Sequence, residues 1–360
     1  MRNLLRVTIA LVVAASPASA GSVRTLHKSG EPRLLLHEDL VTREPKYRAL
    51  EGLRRFNETT LFGKSGPHWD DVRQGEALDC FFLAALSSLA HGDPERLKAQ
   101  FARHADGTLA LDKQGRVQAI FYRKTGADKY RADRVPITAK LPLDNNGEPL
   151  FAKAETGKLW VAALEKAYVR WNDKTNGNAA NWTTFGKHGW DRLDGGDPAM
   201  AMESLRGGPT ATVLFKPRLN EVSNLFAIIA RALADRRLVV ATSSTSAREA
   251  KQRQDSAQHE GVLSPNMAVI DFPFRPFHAF SVLGAYARGE KKYLLLRDPY
   301  GDRERADGSK DPVNLFEISM EKFVTLFIGL SFEEATAPLS PAGRRESPPA
   351  RADGAPHPDR

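Results

Sequence analysis

Cys80 is the only cysteine in a chain of 360 residues, and its surroundings are those of a nucleophile. Ahead of it lies the polar stretch Asp70-Asp71-Val72-Arg73-Gln74-Gly75-Glu76-Ala77-Leu78-Asp79, in which Gly75 marks a loop. Behind it, Phe81 to Ala90 is apolar and helix-compatible. The thiol is therefore expected at a helix N-terminus, where aligned peptide dipoles favour an anion. Gln74, upstream in the same loop, can bring a side-chain NH2 beside the thiol, the donor that an acyl-transfer oxyanion requires. The competing reading of this stretch alone is a buried cysteine acting as a small hydrophobe.

A thiol nucleophile needs a base, and the base needs an orienting group, both from elsewhere in the chain. Of nine histidines, His278 is set apart by the apolar strand pattern Phe277-His278-Ala279-Phe280-Ser281-Val282. A second strand pattern, Lys292 to Arg297, runs into the turn Asp298-Pro299-Tyr300-Gly301. Pairing the two strands would set Asp298 alongside His278. On its own, a histidine on an apolar strand is more often a satisfied core residue; Cys80 is what makes His278 a candidate base.

These segments resemble the calpain cysteine proteases, a branch of the papain-like enzymes. The Gln74-to-Leu86 stretch follows their Gln-Gly, spacer, Asp-Cys-aromatic-Phe-Leu-Ala-Ala pattern, with Phe81 where Trp is usual. Trp160 to Tyr168 follows their Trp-x-x-x-Leu-Glu-Lys-Ala-Tyr helix. His278 to Val282 follows His-Ala-aromatic-Ser-Val, and Leu296 to Gly301 follows Leu-Arg-Asn-Pro-Trp-Gly, with Asp298 in place of Asn and Tyr300 in place of Trp. The resemblance implies a papain-like α+β fold with two lobes, a helical one bearing Cys80 and a β-rich one bearing His278 and Asp298, and an active site in the cleft between them.

The activity so implied is peptide-bond hydrolysis: Cys80 attacks, His278 moves the proton, Asp298 orients His278, and Gln74 helps hold the oxyanion. An Asp in the third position should favour the imidazolium more than Asn does. The family also binds calcium beside the nucleophile, which here implies the Gly66 carbonyl with the carboxylates of Asp71 and Glu165, oxygen ligands of the kind Ca²⁺ takes. The metal-free reading of the same residues has Asp71 capping the loop and Glu165 paired with a basic side chain. Two other functions stay open: transglutaminase-like acyl transfer by the same three groups, and a non-catalytic binding module of the same fold.

The rest of the chain must position these groups. Residues 56–208 are expected as the helical lobe and 209–336 as the β-rich lobe, with the boundary near the Gly207-Gly208 pair. Arg2 and Arg6, the apolar run Val7 to Ala15 and Ala18-Ser19-Ala20 read as an export signal over 1–20, placing the mature chain in a periplasm or outside the cell. Residues 21–55 read as a linker or pro-segment, and the Pro-, Ala- and Arg-rich 337–360 as a tail without a packed core. After the signal, no run approaches the ~20 apolar residues of a membrane-spanning helix. The net charge of +8 is spread along the sequence rather than gathered with aromatics, so nucleic acid is not the expected partner; a protein or peptide substrate is.

Overall fold

The computed structural model describes residues 47–50, 53–154, 157–175, 189–215, 222–243, 262–263, 269–270, 277–301, 303–304, 310–311 and 314–335. The expected export signal, the expected linker apart from 47–50 and 53–55, and the expected tail from 337 lie outside these residues. In chain order the elements are β1 (Tyr47–Ala49), α1 (Glu58–Phe62), a 3-10 turn (Trp69–Asp71), α2 (Cys80–Gly92), α3 (Pro94–Lys98), β2 (Val117–Gly126), β3 (Lys129–Ile137), β4 (Lys140–Pro142) and α4 (Trp160–Thr175). A second 3-10 turn (Gly189–Leu193) leads to α5 (Pro198–Arg206), β5 (Thr210–Leu214), α6 (Val222–Ala234), β6 (Val239–Ser243), β7 (Val262–Leu263) and β8 (Val269–Ile270). The remainder is β9 (Ala279–Arg288), β10 (Lys291–Arg297), β11 (Arg303–Glu304), β12 (Lys310–Asp311), β13 (Leu315–Ser319), α7 (Met320–Leu326) and β14 (Phe327–Glu333).

Every residue of α2 from Phe81 to Ala90 is buried, so this helix runs through the core rather than along its surface. Its first turn lacks a side-chain cap from Asp79. A cap is worth ~1 kcal/mol, whereas burying each Phe or Leu contributes roughly 1.5–3 kcal/mol. Packing therefore fixes where α2 begins and leaves the Asp79 carboxyl for another partner. The sequence predicts one helix from Cys80 to about Phe101; the structure divides it. Pro94 occupies the first turn of α3, and Asp93 turns its carboxylate onto Arg96 N at 3.0 Å, starting a new helix.

Around α2 lie α4, α5 and the β2–β3 hairpin. Alternate hairpin residues Val117, Ala119, Phe121, Val135 and Ile137 are buried, as their period of two requires. Phe82 stacks on Tyr168 of α4 at 4.0 Å, and Tyr168 meets Phe121 edge-on at 5.5 Å, so helix, helix and hairpin share one aromatic core.

All strands of the main sheet come from residue 210 onward, in the order β5-β14-β6-β9-β10-β13-β7-β8, with antiparallel neighbours. The sheet is covered on both faces where β6 and β9 cross it. Val240 and Ala279 belong to the core around α2, while Val239, Ala241, Phe280 and Val282 pack with α6 and α7 in a second core. Alternation along β6 and β9 thus sends side chains into two cores, and Ser281 Oγ donates to Ala84 O of α2 at 2.8 Å. Among the described residues no helix is long and apolar enough to cross a membrane.

Candidate active site

The half-buried thiol of Cys80 stands at the first position of α2, as its sequence context predicts. The segment before it is fixed from two sides. Arg73 and Lys153 exchange backbone hydrogen bonds, both 2.9 Å, and Gln74 N donates to Pro299 O at 2.8 Å. Gly75 has no room for a side chain, because a Cβ there would lie 2.1 Å from Phe151 O. That contact explains the glycine better than backbone conformation does.

His278 sits just before β9 and is 5 % exposed. Its backbone is clamped to the end of β6: His278 N donates to Ser243 Oγ at 3.0 Å, Ser243 Oγ donates to His278 O at 3.1 Å, and Ser243 N donates to the same carbonyl at 2.9 Å. Phe277, immediately before, takes the left-handed φ of +55°, a conformation costly for a non-glycine residue and here imposed next to the imidazole.

The imidazole is boxed by aromatics and a carboxylate. Tyr300 stacks on it at 5.1 Å, Phe280 meets it edge-on at 4.8 Å, and Nε2 lies 2.8 Å from Asp298 Oδ1. With Nε2 so engaged, Nδ1 is the ring nitrogen left to serve the Cys80 thiol, whose charge acts on the ring. Burial works against the imidazolium, but the charges of Asp298 and Cys80 and their hydrogen bonds outweigh it and push His278 up to about 9. Asp298 follows the last residue of β10 and is itself held by Tyr300 N, which donates to Oδ1 at 2.9 Å, and through its own N–H to Asn314 O at 2.7 Å.

Gln74 is buried beside this group, but its amide has a partner that the sequence reading did not foresee: Nε2 donates to Ala77 O at 2.7 Å. That bond fixes which end of the amide is nitrogen, since the reverse would set oxygen against oxygen. Ala77 takes one of the two amide hydrogens.

Arg297, fully buried at the end of β10, crosses to the segment ahead of Cys80. Its guanidinium donates to Val72 O, to Asp70 O at 3.5 Å and to Ser87 Oγ of α2 at 3.4 Å, and lies 5.6 Å from the Trp69 ring centroid. Arg297 is therefore a structural bridge rather than a surface residue. Neither this role nor the Ser243 clamp carries a signal in the sequence, because each depends on which distant backbone groups the fold brings near.

Of the three positions implied for calcium, the two carboxylates are engaged otherwise. Asp71 is 2 % exposed and accepts from Lys158 Nζ at 2.8 and 3.0 Å, from Trp160 Nε1 at 2.9 Å and from His68 N at 2.8 Å. Glu165 accepts from Ala152 N with both oxygens, each at 3.0 Å, and lies beside the buried Asp79 carboxyl. Burial raises both carboxyls of that pair, Asp79 to about 7 and Glu165 well above its usual range, where the negative Asp79 adds to the effect. Each carboxyl of the pair therefore favours its protonated form, and Asp79 immediately precedes Cys80 at the start of α2. The Lys98 side chain lies alongside Gly66. With the Lys158 ammonium on Asp71 and both Glu165 oxygens on Ala152 N, these residues do not fit a divalent ion in the way the resemblance implies, and among the described residues no group of three or more acidic, histidine or cysteine side chains gathers as a metal cluster. The metal-free reading has Asp71 as a loop cap, and Asp71 does receive His68 N; its expectation of a basic partner for Glu165 is corrected to the Asp79 carboxyl.

Comparison with known proteins gives a match to the family described as calpain family cysteine protease over residues 50–313. The chain is 27 % identical to calpain-8 of Rattus norvegicus over 238 residues, which is 65 % of this chain and 28 % of that protein. It is 28 % identical to the calpain-2 catalytic subunit of Gallus gallus over 240 residues, again 65 % and 28 % of the respective lengths. A thiol protease of Porphyromonas gingivalis is 26 % identical over 254 residues, covering 68 % of this chain and 47 % of that protein. The matched region thus spans less than half the length of each of these relatives.

Proposed function

The chain belongs to the calpain family of cysteine proteases, and from that premise we propose that it is a cysteine endopeptidase working through Cys80, His278 and Asp298 on a papain-like two-lobed core. The observation that carries the reading is the buried His278 and Asp298 pair, Nε2 to Oδ1 at 2.8 Å, with the half-buried Cys80 thiol close enough for its charge to act on the ring. The core around α2 corresponds to the helical lobe and the core beneath the main sheet to the β-rich lobe.

With His278 raised to about 9, the neighbouring Asp298 charge favours the imidazolium that forms when the Cys80 proton passes to the ring as the first step. The thiolate attacks the scissile carbonyl carbon, forming the C–S bond while the carbonyl electrons move onto oxygen. The free amide hydrogen of Gln74 and the Cys80 backbone N–H, at the start of α2 where helix geometry leaves it without an intrahelical partner, receive that oxyanion. As the tetrahedral intermediate collapses, His278 gives its proton to the leaving amine and the peptide C–N bond breaks. Water, deprotonated by His278, then attacks the thioester and releases the acid. Asp298 keeps the ring in register throughout.

The export pattern at Arg2, Arg6 and Ala18 to Ala20 supports action outside the cytoplasm on protein or peptide substrates. The test is incubation of the protein with an unfolded protein, reading fragments against crosslinked product: fragments are expected, and crosslinks with an added amine would instead identify acyl transfer.

A further inference from the structure

We propose that Lys158 supplies the built-in cation of this site: its ammonium, seated on Asp71, fastens the segment carrying Gln74 and Cys80 to the start of α4, so the active site assembles without a divalent ion. Lys158 has this purpose only if Cys80 is the protease centre described above; the geometry that holds its charge stands apart from that reading.

Asp71 closes the 3-10 turn three residues before Gln74, so whatever holds its carboxylate sets the path of the oxyanion segment. What holds it comes from far along the chain. Lys158 Nζ spans both oxygens at 2.8 and 3.0 Å, across 87 residues, and Trp160 Nε1 adds a third donor at 2.9 Å. The Lys158 stem runs along Gly63, with methylene carbons 3.5 Å from where a Cβ would stand, and Leu159 N donates to Thr60 O at 3.0 Å. One side chain thereby ties α1, the 3-10 turn and α4 together.

Both charges are buried, Lys158 at 8 % and Asp71 at 2 % exposure, so neither is left to water and each is neutralised by the other. A calcium ion would need to approach the Asp71 oxygens to ~2.3–2.6 Å. That arc is covered by the ammonium, and two cations so close would repel strongly in a buried site. The second carboxylate of the implied calcium set, Glu165, faces away to Ala152 N and Asp79. Both oxygen ligands are thus spoken for by groups of this chain.

The experiment reads the rate of Cys80 alkylation by iodoacetamide in the full-length protein, after EDTA treatment and with millimolar CaCl2, together with calorimetry of CaCl2 binding. Peptide cleavage is not measured, so an absence of proteolysis would fail the protease reading and leave these outcomes intact. The parent should alkylate at the same rate in both conditions and give no saturable heat. Lys158→Met should slow alkylation by about tenfold or more, and Lys158→Arg, which keeps a charge able to bridge a carboxylate, should stay within about threefold of the parent. Saturable calcium binding with faster alkylation of the parent, or a Lys158→Met protein as reactive as the parent, would overturn the proposal. If Lys158→Met does not fold, the double variant Asp71→Asn with Lys158→Met removes both charges at nearly constant volume. Recovery of folding and alkylation would support charge compensation as the job of Lys158, and a double variant that also fails to fold would overturn it.

Discussion

His278 Nε2 lies 2.8 Å from Asp298 Oδ1, and the two residues reach each other from the ends of neighbouring antiparallel strands whose last register pair is Arg297 with Ser281. The pairing is therefore a property of the sheet, and the carboxylate's charge acts on a ring that burial would otherwise keep neutral.

That charge sets a pH dependence. His278 is raised from its ordinary 6.5 to about 9, so the stability contributed by its imidazolium is fully present below pH 6.5 and is lost as pH rises through about 9. Asp298→Asn removes the largest effect favouring the imidazolium. The alkaline limb of the kcat/KM profile should then move to lower pH while the Asn oxygen still accepts from the ring. A pH profile with an unmoved alkaline limb would contradict the assignment.

Arg297 should matter to activity although no step of the reaction uses it. Its guanidinium joins the end of β10 to Val72 O, Asp70 O and Ser87 Oγ, and hydrogen bonds to a charged group are each worth roughly 1.5–3 kcal/mol. Arg297→Met should lower the urea midpoint and reduce kcat more than it raises KM. Arg297→Lys should rescue little, because an ammonium cannot span the same fork of acceptors.

The Asp79 and Glu165 pair has the opposite sign to a salt-bridged carboxylate. Both groups are raised on folding, so their contribution is fully present below about pH 4 and is lost as pH rises through about 7, where Asp79 titrates. Asp79→Asn removes the group that titrates. Urea unfolding at pH 5 and pH 8 should show a smaller difference between the two conditions for this variant than for the parent.

How much of this the sequence reveals follows from how local each signal is. The nucleophile helix, the two strands bearing His278 and Asp298, and the hairpin of Val117, Ala119, Phe121, Val135 and Ile137 follow from apolar periodicity within a few residues. The division of α2 from α3 was legible in Asp93-Pro94, a cap followed by a first-turn proline, but the apolar run hides it. Contacts across 87 residues, such as Lys158 on Asp71, or across 35, such as Ser243 on His278, leave no local pattern, and neither does the turning of Glu165 to Asp79.

Gly75 separates Gln74 from the rest of the approach to Cys80, and a methyl group there would meet Phe151 O at 2.1 Å and Leu150 O at 2.6 Å. Both are backbone atoms, which yield less readily than a side chain. Gly75→Ala should displace the segment from 150–153, weaken the Gln74 N to Pro299 O bond, and lower kcat by about 10²-fold, the scale of losing one oxyanion donor. Parent-like turnover in this variant would show that the close approach is dispensable.

The most direct measurement compares the parent with Cys80→Ala on an unfolded protein substrate, following fragments by mass. The parent should release peptides, and the variant, folded to the same near-ultraviolet circular dichroism, should release none above the substrate's own background. Equal fragmentation by both proteins would contradict the assignment of Cys80 as the nucleophile.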